Sequence, residues 1–309
     1  MMKNNHLALA VSEIETPGIL DSRKLPDDGF DALWDSIILD KADKDRLLSQ
    51  AILNFSLRPK VNRANLPLHG IILLIGPPGT GKTSLARGLA SITAKMVKGS
   101  DFLYLEVEPH SLTSSSLGKS QKAVTELLNS TIAERAATRP VIVLLDEVET
   151  LAADRSKMSL EANPIDVHRA TDAVLAQLDH LAARFPQLLF IATSNFPEAI
   201  DRAFLSRADL IATVGMPDAE ACRRILTSTV ESLAVAFPRT QHLLSQPEFE
   251  EAAELCLGLD GRRIRKLVAA ACRFSKETAL DPGKLTASDI LLAVKHEQRE
   301  NKIWKGAAK

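Results

Sequence analysis

The chain has 309 residues, of which 45% are hydrophobic and 25% are charged, and its formal net charge at pH 7 is −1. This length is enough for two domains and a full buried core, and the composition is that of an ordinary globular protein. The near-neutral charge gives no reason to expect bulk attraction to nucleic acid or to an anionic membrane, so neither is an expected partner.

The first residues do not have the layout of a signal peptide. The longest apolar runs, Ile71–Ile75 and Val141–Leu145, are far too short to cross a bilayer. Cys222, Cys256 and Cys272 are widely spaced and form no CxxC pair, which favours thiols in a reducing compartment over a metal site or a disulfide framework. These features predict a cytoplasmic protein.

Residues 1–30 mix polar, acidic and turn-forming residues, which predicts an N-terminal tail that is flexible or partly ordered by docking. Between residues 30 and 57 the apolar residues recur at helical spacing, which indicates a short linker followed by an amphipathic helix.

Five short runs rich in Ile, Leu and Val then alternate with segments long enough for one helix each. Buried strands that alternate with helices are typical of a parallel sheet covered on both faces. The handedness of such crossovers predicts an α/β fold with a doubly wound, five-stranded parallel sheet, in a large domain over residues 31–217. The runs lie at residues 70–75, 102–107, 141–145, 188–193 and 210–214.

Beyond Pro217 the strand pattern stops. Helical periodicity runs through residues 219–234, 247–256, 261–278 and 286–299. Asp218 is placed like an N-cap, and Thr286 with Asp289 resembles a capping box. The sequence therefore predicts a smaller, all-helical lid domain over residues 218–309.

The segment between the first predicted strand of the large domain and the next helix reads Gly-Pro-Pro-Gly-Thr-Gly-Lys-Thr. This strand–loop–helix context is the one that a phosphate-binding loop requires, and it disfavours a chance glycine turn. The glycines let backbone N–H groups point inward, while Lys82 can reach the β- and γ-phosphates and Thr83 can ligate magnesium. The predicted nucleotide contacts are Gly76, Pro77, Pro78, Gly79, Thr80, Gly81, Lys82, Thr83 and Ser84.

Two acids, Asp146 and Glu147, directly follow a buried strand, where carboxylates are costly unless they have a function. Asp146 is a candidate magnesium ligand, and Glu147 is a candidate for orienting and polarising the attacking water. Asn195 follows the next strand and can reach the water and the γ-phosphate. An ordinary turn before Phe196 remains an alternative for Asn195.

Two arginine clusters lie downstream. Arg202 and Arg207 could be supplied to a neighbouring subunit to stabilise charge on the transferring phosphoryl group. Arg262, Arg263 and Arg265 lie at the start of a predicted lid helix, where an arginine could touch the nucleotide of its own subunit. Taken alone, each cluster is also compatible with a solvated basic face.

The order of these motifs resembles that of the AAA+ ATPases, and the finer match is to the pachytene checkpoint family, which remodels HORMA-domain proteins. The resemblance covers roughly residues 30 to 280. The segments that carry it are Leu-Leu-Asp-Glu-Val-Glu-Thr-Leu at 144–151, Asp-Ala-Val-Leu-Ala-Gln-Leu-Asp at 172–179, the stretch 193–209, and Leu-Trp-Asp-Ser at 33–36.

This resemblance implies a homohexameric ring with ATP and Mg²⁺ at the subunit interfaces and a HORMA-domain protein as the client. It implies that Lys82 and Thr83 contact nucleotide and metal and that Asp146 contacts the metal. It further implies that Glu147 is the catalytic acid. Asn195 and Arg262 would be the first and second sensors, and Arg207 matches the arginine finger better than Arg202, which is kept as a possible partner.

Two departures from the family pattern affect the expected activity. Ser116 and Leu117 stand in the substrate-gripping pore loop where an aromatic or bulky residue is usual, which predicts a weak grip with Leu117 as its best contact. A flexible serine-rich loop without a substrate role is the alternative, and residues 155–167 form a second candidate pore loop. The short N-terminus is similar to that of bacterial members, which accompany HORMA proteins in antiphage signalling.

The leading hypothesis is thus an ATP-driven remodeller of HORMA-domain complexes. A nucleic-acid machine of the initiator or clamp-loader type is the alternative, although neutral charge, no zinc module and no winged-helix segment argue against it. A scaffold that binds ATP without turnover would not need Glu147 or the arginines. A kinase or GTPase would not need the second helical domain.

Overall fold

The computed structural model describes residues 18–99, 101–107, 126–150, 152 and 164–307. Its centre is a six-stranded sheet. The strands are β1 (Ile19–Leu25), β2 (Ile71–Ile75), β3 (Phe102–Val107), β4 (Val141–Leu145), β5 (Leu188–Ser194) and β6 (Leu210–Thr213). Their order across the sheet is β1-β3-β4-β5-β2-β6.

The five strands expected from the apolar runs are confirmed, and they are mutually parallel. The expectation of a five-stranded sheet is corrected by β1, which pairs antiparallel with β3 from Ile19 opposite Val107 to Leu25 opposite Phe102. This strand lies inside the segment predicted to be a tail. Its side chains alternate between half-buried and exposed positions, so it lacks the continuous apolar run of the inner strands.

Helices cover both faces of the sheet, as the doubly wound fold requires. The helices are α1 (Asp28–Ser36), α2 (Lys41–Ser56), α3 (Lys82–Met96), a π-helical stretch (Leu127–Ile132) leading into α4 (Ala133–Thr138), α5 (Pro164–Arg184) and α6 (Arg202–Leu205). One apolar core lies beneath α4 and α5 and includes Phe204. The other lies beneath α1, α2 and α3 and includes Tyr104.

The C-terminal helices enclose a third core of their own, built around Leu226, Phe249 and Ile264. They are α7 (Ala219–Ala236), α8 (Pro247–Leu255), α9 (Gly261–Ala271), α10 (Lys276–Leu280) and α11 (Ala287–Ala307). Residues 218–307 contain no strand, in agreement with the predicted helical lid, while the boundary at residue 217 stays a prediction.

The capping predictions for this region are confirmed. Asp218 accepts a hydrogen bond from the N–H of Ala221 at 2.8 Å, and Thr286 and Asp289 cap each other's backbone N–H groups. The predicted helix over 261–278 is wrong, because α9 ends at Ala271 and the Ser275 hydroxyl caps a new helix by accepting from the N–H of Thr278.

Ser116 and Leu117 lie outside the described residues, as does the second candidate pore loop up to residue 163. Across the helices that the structure describes, none combines the length and the apolar character needed to span a membrane.

Candidate nucleotide site

The loop between β2 and α3 has the backbone shape of an anion cradle. Gly79 and Gly81 adopt positive φ angles of 82° and 94°, which glycine adopts without steric cost. Gly81 is also the N-cap of α3, so the first N–H groups of a 15-residue helix face the concave side of the loop. Pro77 and Pro78 are exposed at the outer side of the loop.

Lys82 is only 5% exposed, and its ammonium group lies inside this loop. It donates to the backbone oxygens of Gly76 at 2.7 Å and Pro77 at 2.8 Å and to Oδ1 of Asn195 at 2.7 Å. Burial lowers its pKa, and nearby carboxylates oppose that shift. Because all three acceptors are neutral, these bonds leave a net positive charge at the centre of the loop.

A cluster of hard oxygen atoms lies where α3 begins beside the end of β4. The Thr83 hydroxyl donates to the two carboxylate oxygens of Asp146 at 2.9 and 3.2 Å. The hydroxyl of Thr193, from the end of β5, also donates to Asp146. Hydroxyl and carboxylate oxygens are the ligands that Mg²⁺ prefers, so this donor set fits a magnesium ion bound against the loop.

Glu147 is held in a strained conformation beside this cluster. Its φ of 51° is positive although it carries a side chain, a conformation that costs roughly 1–3 kcal/mol and is concentrated at functional sites. Its N–H donates to the Thr193 hydroxyl at 3.1 Å, and its Oε1 accepts from Nδ2 of Asn195 at 3.1 Å. The Asn195 amide therefore joins Lys82 on one side to Glu147 on the other.

Two residues of this network were missed by the sequence reasoning. Glu149 accepts from the Asn195 N–H at 3.1 Å through Oε1, while its buried Oε2 has no hydrogen-bond partner in the described structure. Thr193 links Asp146 to Glu147 as described above. The signal for Glu149 was that it is a third acid after a buried strand. The signal for Thr193 was that it is a polar residue at the end of an apolar strand.

A cavity of ≈ 730 Å³ adjoins the loop on the side of the helical lid. It is lined by the linker residues 36–40, by Thr80 of the loop, by Ser84 of α3, by the chain at 214–218 and by the start of α9. Such a volume suits a nucleoside-sized ligand. The linker contribution was not predicted, because the linker's distance from the loop depends on tertiary packing.

The lid contacts the loop directly through the start of α9. The N–H of Arg262 donates to the oxygen of Gly79 at 3.1 Å, and Arg262 lines the cavity. The predicted contact of Arg262 with nucleotide stays a prediction. Arg265, which the sequence did not single out from its cluster, also lines the cavity and donates to the backbone oxygen of Ser36 in the linker. Burial lowers the pKa of its guanidinium.

Arg207 is not brought into this site. It donates from Nε and Nη2 to the carboxylate of Asp179 at 3.0 and 2.7 Å and from Nη1 to the oxygen of Ala203 at 2.7 Å. Arg202 begins α6 and is exposed. The predicted action of Arg207 on a neighbouring subunit stays a prediction.

A doubly wound sheet, a glycine-rich loop around a buried lysine, and two acids directly after strand β4 define a P-loop nucleoside triphosphatase. A family model for the ATPase family associated with various cellular activities (AAA) matches residues 72–216. CD-NTase-associated protein 6 of Pseudomonas aeruginosa is 57% identical over 282 residues, which are 91% of this chain and 93% of that protein.

A pachytene checkpoint protein 2 homolog from Gallus gallus is 34% identical over 307 residues, covering 89% of this chain and 69% of that protein. Among solved structures, an E. coli MS115-1 HORMA:CdnC:Trip13 complex contains a chain with the same fold, at a TM-score of 0.70 and 19% identity, covering 90% of this chain and 94% of that one. The chain therefore belongs to the AAA family of ATPases, in the group that includes the pachytene checkpoint protein 2 homologues.

Proposed function

We propose that this AAA ATPase hydrolyses ATP with Mg²⁺ as one subunit of a homohexameric ring, and that the ring remodels a HORMA-domain protein in a bacterial antiphage signalling system. The observation that carries the chemical part is the Asn195 amide, which joins the lysine of the phosphate loop to the acid Glu147.

The residues of the loop fit a triphosphate. Lys82 supplies a positive charge at the centre of the loop, the N–H groups at the start of α3 supply donors, and the cavity beside Arg262 accommodates the nucleoside. Mg²⁺ held by Thr83 and Asp146 would neutralise phosphate charge. The Asp146 carboxylate is kept in place for this role by the hydroxyl of Thr193.

Glu147 is the group that orients and polarises the attacking water in this proposal. The positive φ of Glu147 and its backbone bond to Thr193 fix the main chain. The bond from Asn195 fixes one carboxylate oxygen and leaves the other to accept a proton from water. Asn195 also contacts Lys82, so the position of the lysine and the position of the acid are coupled through one side chain.

Arg207 supports the oligomeric part of the proposal. Its guanidinium is bound to Asp179 rather than to its own phosphate loop. If Arg207 stabilises charge on the transferring phosphoryl group, it therefore does so in the nucleotide site of a neighbouring subunit. A closed ring gives each nucleotide site such a neighbour.

A HORMA-domain client is proposed because this chain is similar to other proteins. The pachytene checkpoint resemblance extends through several segments, and a chain of the same fold occurs in a complex whose other named members are HORMA and CdnC. A relative that is 57% identical is named for its association with a CD-NTase, which supports the antiphage setting.

The test is steady-state ATP turnover with and without a candidate HORMA-domain protein. Glu147→Gln is the blank, because it keeps the shape of the side chain while removing its basicity. Glu250→Gln, in an exposed lid ion pair with Arg223, is the control for loss of a surface carboxylate. We expect turnover in the wild type and the control, stimulation by the HORMA protein, and neither in Glu147→Gln despite retained ATP binding.

Turnover that survives Glu147→Gln would contradict the catalytic assignment. Turnover that the HORMA protein leaves unchanged, at concentrations where the two proteins co-sediment, would contradict the client while keeping the ATPase.

A further inference from the structure

The Arg207 side chain is held by a carboxylate that belongs to a different part of the fold. Asp179 lies near the C-terminal end of α5 and binds the Nε and Nη2 edge of the guanidinium through both of its oxygens. Such two-point pairing fixes the plane of the guanidinium as well as its position. The pairing raises the pKa of Arg207 and lowers the pKa of Asp179.

This pairing leaves the tip of the guanidinium available. An arginine has five N–H donors. Three of them are used in the bonds to Asp179 and to the oxygen of Ala203, so within the described part of the chain one N–H on each terminal nitrogen has no partner. Two donors at the tip are the arrangement that reaches two oxygens of a phosphoryl group.

Asp179 is itself held by a second set of groups. Nη1 of Arg63 donates to the backbone oxygen of Asp179 at 3.1 Å, and Nη2 of Arg63 lies 3.6 Å from its carboxylate. Nε2 of His69 lies 3.4 Å from the same carboxylate. The carboxylate thus faces three groups that carry or can carry positive charge, and its pKa is lowered. It cannot rotate away without losing its side-chain contacts with Arg207, Arg63 and His69.

The main chain next to Arg207 is fixed to the same segment. Asp209 accepts from the N–H groups of His69, Gly70 and Ile71 at 2.9, 2.6 and 3.2 Å. Gly70 and Ile71 lead into β2, which ends at the phosphate loop. These bonds hold the main chain next to Arg207 against the strand that leads to the phosphate loop of its own subunit. Two N–H groups of the Arg207 guanidinium stay without a partner among the described residues.

We infer that Asp179 is a positioning residue for ATP hydrolysis, which presets the Arg207 guanidinium for the phosphoryl group bound by the neighbouring subunit. The inference rests on the proposed role of Arg207. Asp179 is not among the residues that line the cavity beside the phosphate loop, and in this inference it acts only through the arginine.

The first experiment compares Asp179→Asn with Glu250→Gln at saturating ATP. Glu250 forms the same two-point pair with Arg223, at 2.8 and 2.7 Å, on the surface of the lid. We expect turnover to fall about 10- to 100-fold in Asp179→Asn, the range for a misplaced catalytic group, and to be unchanged in Glu250→Gln. Affinity for a fluorescent ADP should be unchanged in both, because Arg207 does not serve its own loop.

The second experiment asks whether the defect acts across the subunit interface. Asp179→Asn subunits are mixed with Lys82→Ala subunits, which lack the lysine of the phosphate loop but carry an intact Asp179–Arg207 pair. We expect the mixture to exceed the summed turnover of its two parts. The double variant Asp179→Asn with Arg207→Ala should be no slower than Arg207→Ala alone.

The positioning role would be overturned if Lys82→Ala subunits did not restore the turnover lost in Asp179→Asn. It would also be overturned if the losses of turnover in Asp179→Asn and Arg207→Ala added fully in the double variant. If Asp179→Asn fails to fold, Asp179→Glu takes its place. The longer side chain keeps the charge near Arg63 but displaces the guanidinium, so turnover should fall and be restored in the same mixture.

The proposed function has its own readout in this design. The proposed role of Arg207 requires that Arg207→Ala lowers ATP turnover. It also requires that mixing with Lys82→Ala subunits restores part of that turnover. If it does neither, the proposed arginine finger is wrong, and the inference on Asp179 is overturned with it. If it does both while Asp179→Asn behaves like Glu250→Gln, only the inference on Asp179 is overturned.

Discussion

The ion pair between α3 and β3 allows a sharp test of the energetics of the fold. Glu106 is 2% exposed and accepts from Nε and Nη2 of Arg87 at 3.0 and 2.7 Å and from the hydroxyl of Tyr104 at 2.7 Å. Arg87 lies on the helix that follows the phosphate loop, and Glu106 lies one residue before the end of β3. The pair therefore joins the nucleotide side of the domain to the strand that leads into residues 108–125.

Arg87→Ala removes two of the three hydrogen bonds to a buried carboxylate and leaves its charge uncompensated. Breaking a buried pair in this way costs about 3–5 kcal/mol of unfolding free energy. Replacing both partners by leucine removes the charge together with its counter-ion, so the double variant should be much closer to the wild type than Arg87→Ala.

The assay is urea denaturation followed by the fluorescence of Trp34, which packs on α3 at Gly88, in a Trp304→Phe background. Arg223→Ala is the matched control, because Arg223 and Glu250 have nearly the same two-point geometry in an exposed position. We expect a large decrease of the urea midpoint for Arg87→Ala and a small change for the control. Equal shifts in the two variants would refute the argument that burial decides the strength of this pair.

Three further outcomes follow from backbone strain, burial and close contact. Glu147→Gly should be more stable than Glu147→Ala by about 1 kcal/mol in urea denaturation, because only glycine relieves the positive φ, while both variants lose ATP turnover. Burial raises the pKa of the Cys222 thiol to about 11 and that of the Cys256 thiol to about 12, so both thiols stay protonated at pH 8. Mass spectrometry should therefore find these two cysteines alkylated only after the protein is unfolded in urea. Gly79→Ala should weaken binding of fluorescent ADP, because its new Cβ would lie 2.4 Å from a lid carboxylate oxygen, whereas Gly99→Ala, with a similar φ and open space, should not. Equal ADP affinity in the two alanine variants would contradict the steric argument.

The parts of the structure that were predicted are those with a local signal. The parallel strands are continuous apolar runs, and the phosphate loop is a contiguous motif between a strand and a helix. The caps at Asp218 and Thr286 depend on neighbours within three residues. Each of these features could be recognised without knowing where the rest of the chain lies.

The parts that were missed depend on distant partners. The half-exposed strand β1 is paired with β3 about 80 residues later, and no local pattern specifies that pairing. The contact between the lid and Gly79 and the role of Ser36 in the cavity wall arise only when the two helical parts of the chain pack around the loop. The Asp179 partner of Arg207 is 28 residues away in sequence and was invisible for the same reason.

The antiparallel direction of β1 has a consequence for how a client can be presented. Ile19 is paired beside Val107, so the chain before residue 19 and the chain after residue 107 leave the sheet at the same point. The points at which residues 1–17 and the segment that contains Ser116 and Leu117 join the sheet are therefore neighbours. If each segment made one weak contact with a client, the two contacts would support each other, because binding at one raises the effective concentration of the client at the other. A predicted pore loop with a weak grip would then need less affinity of its own.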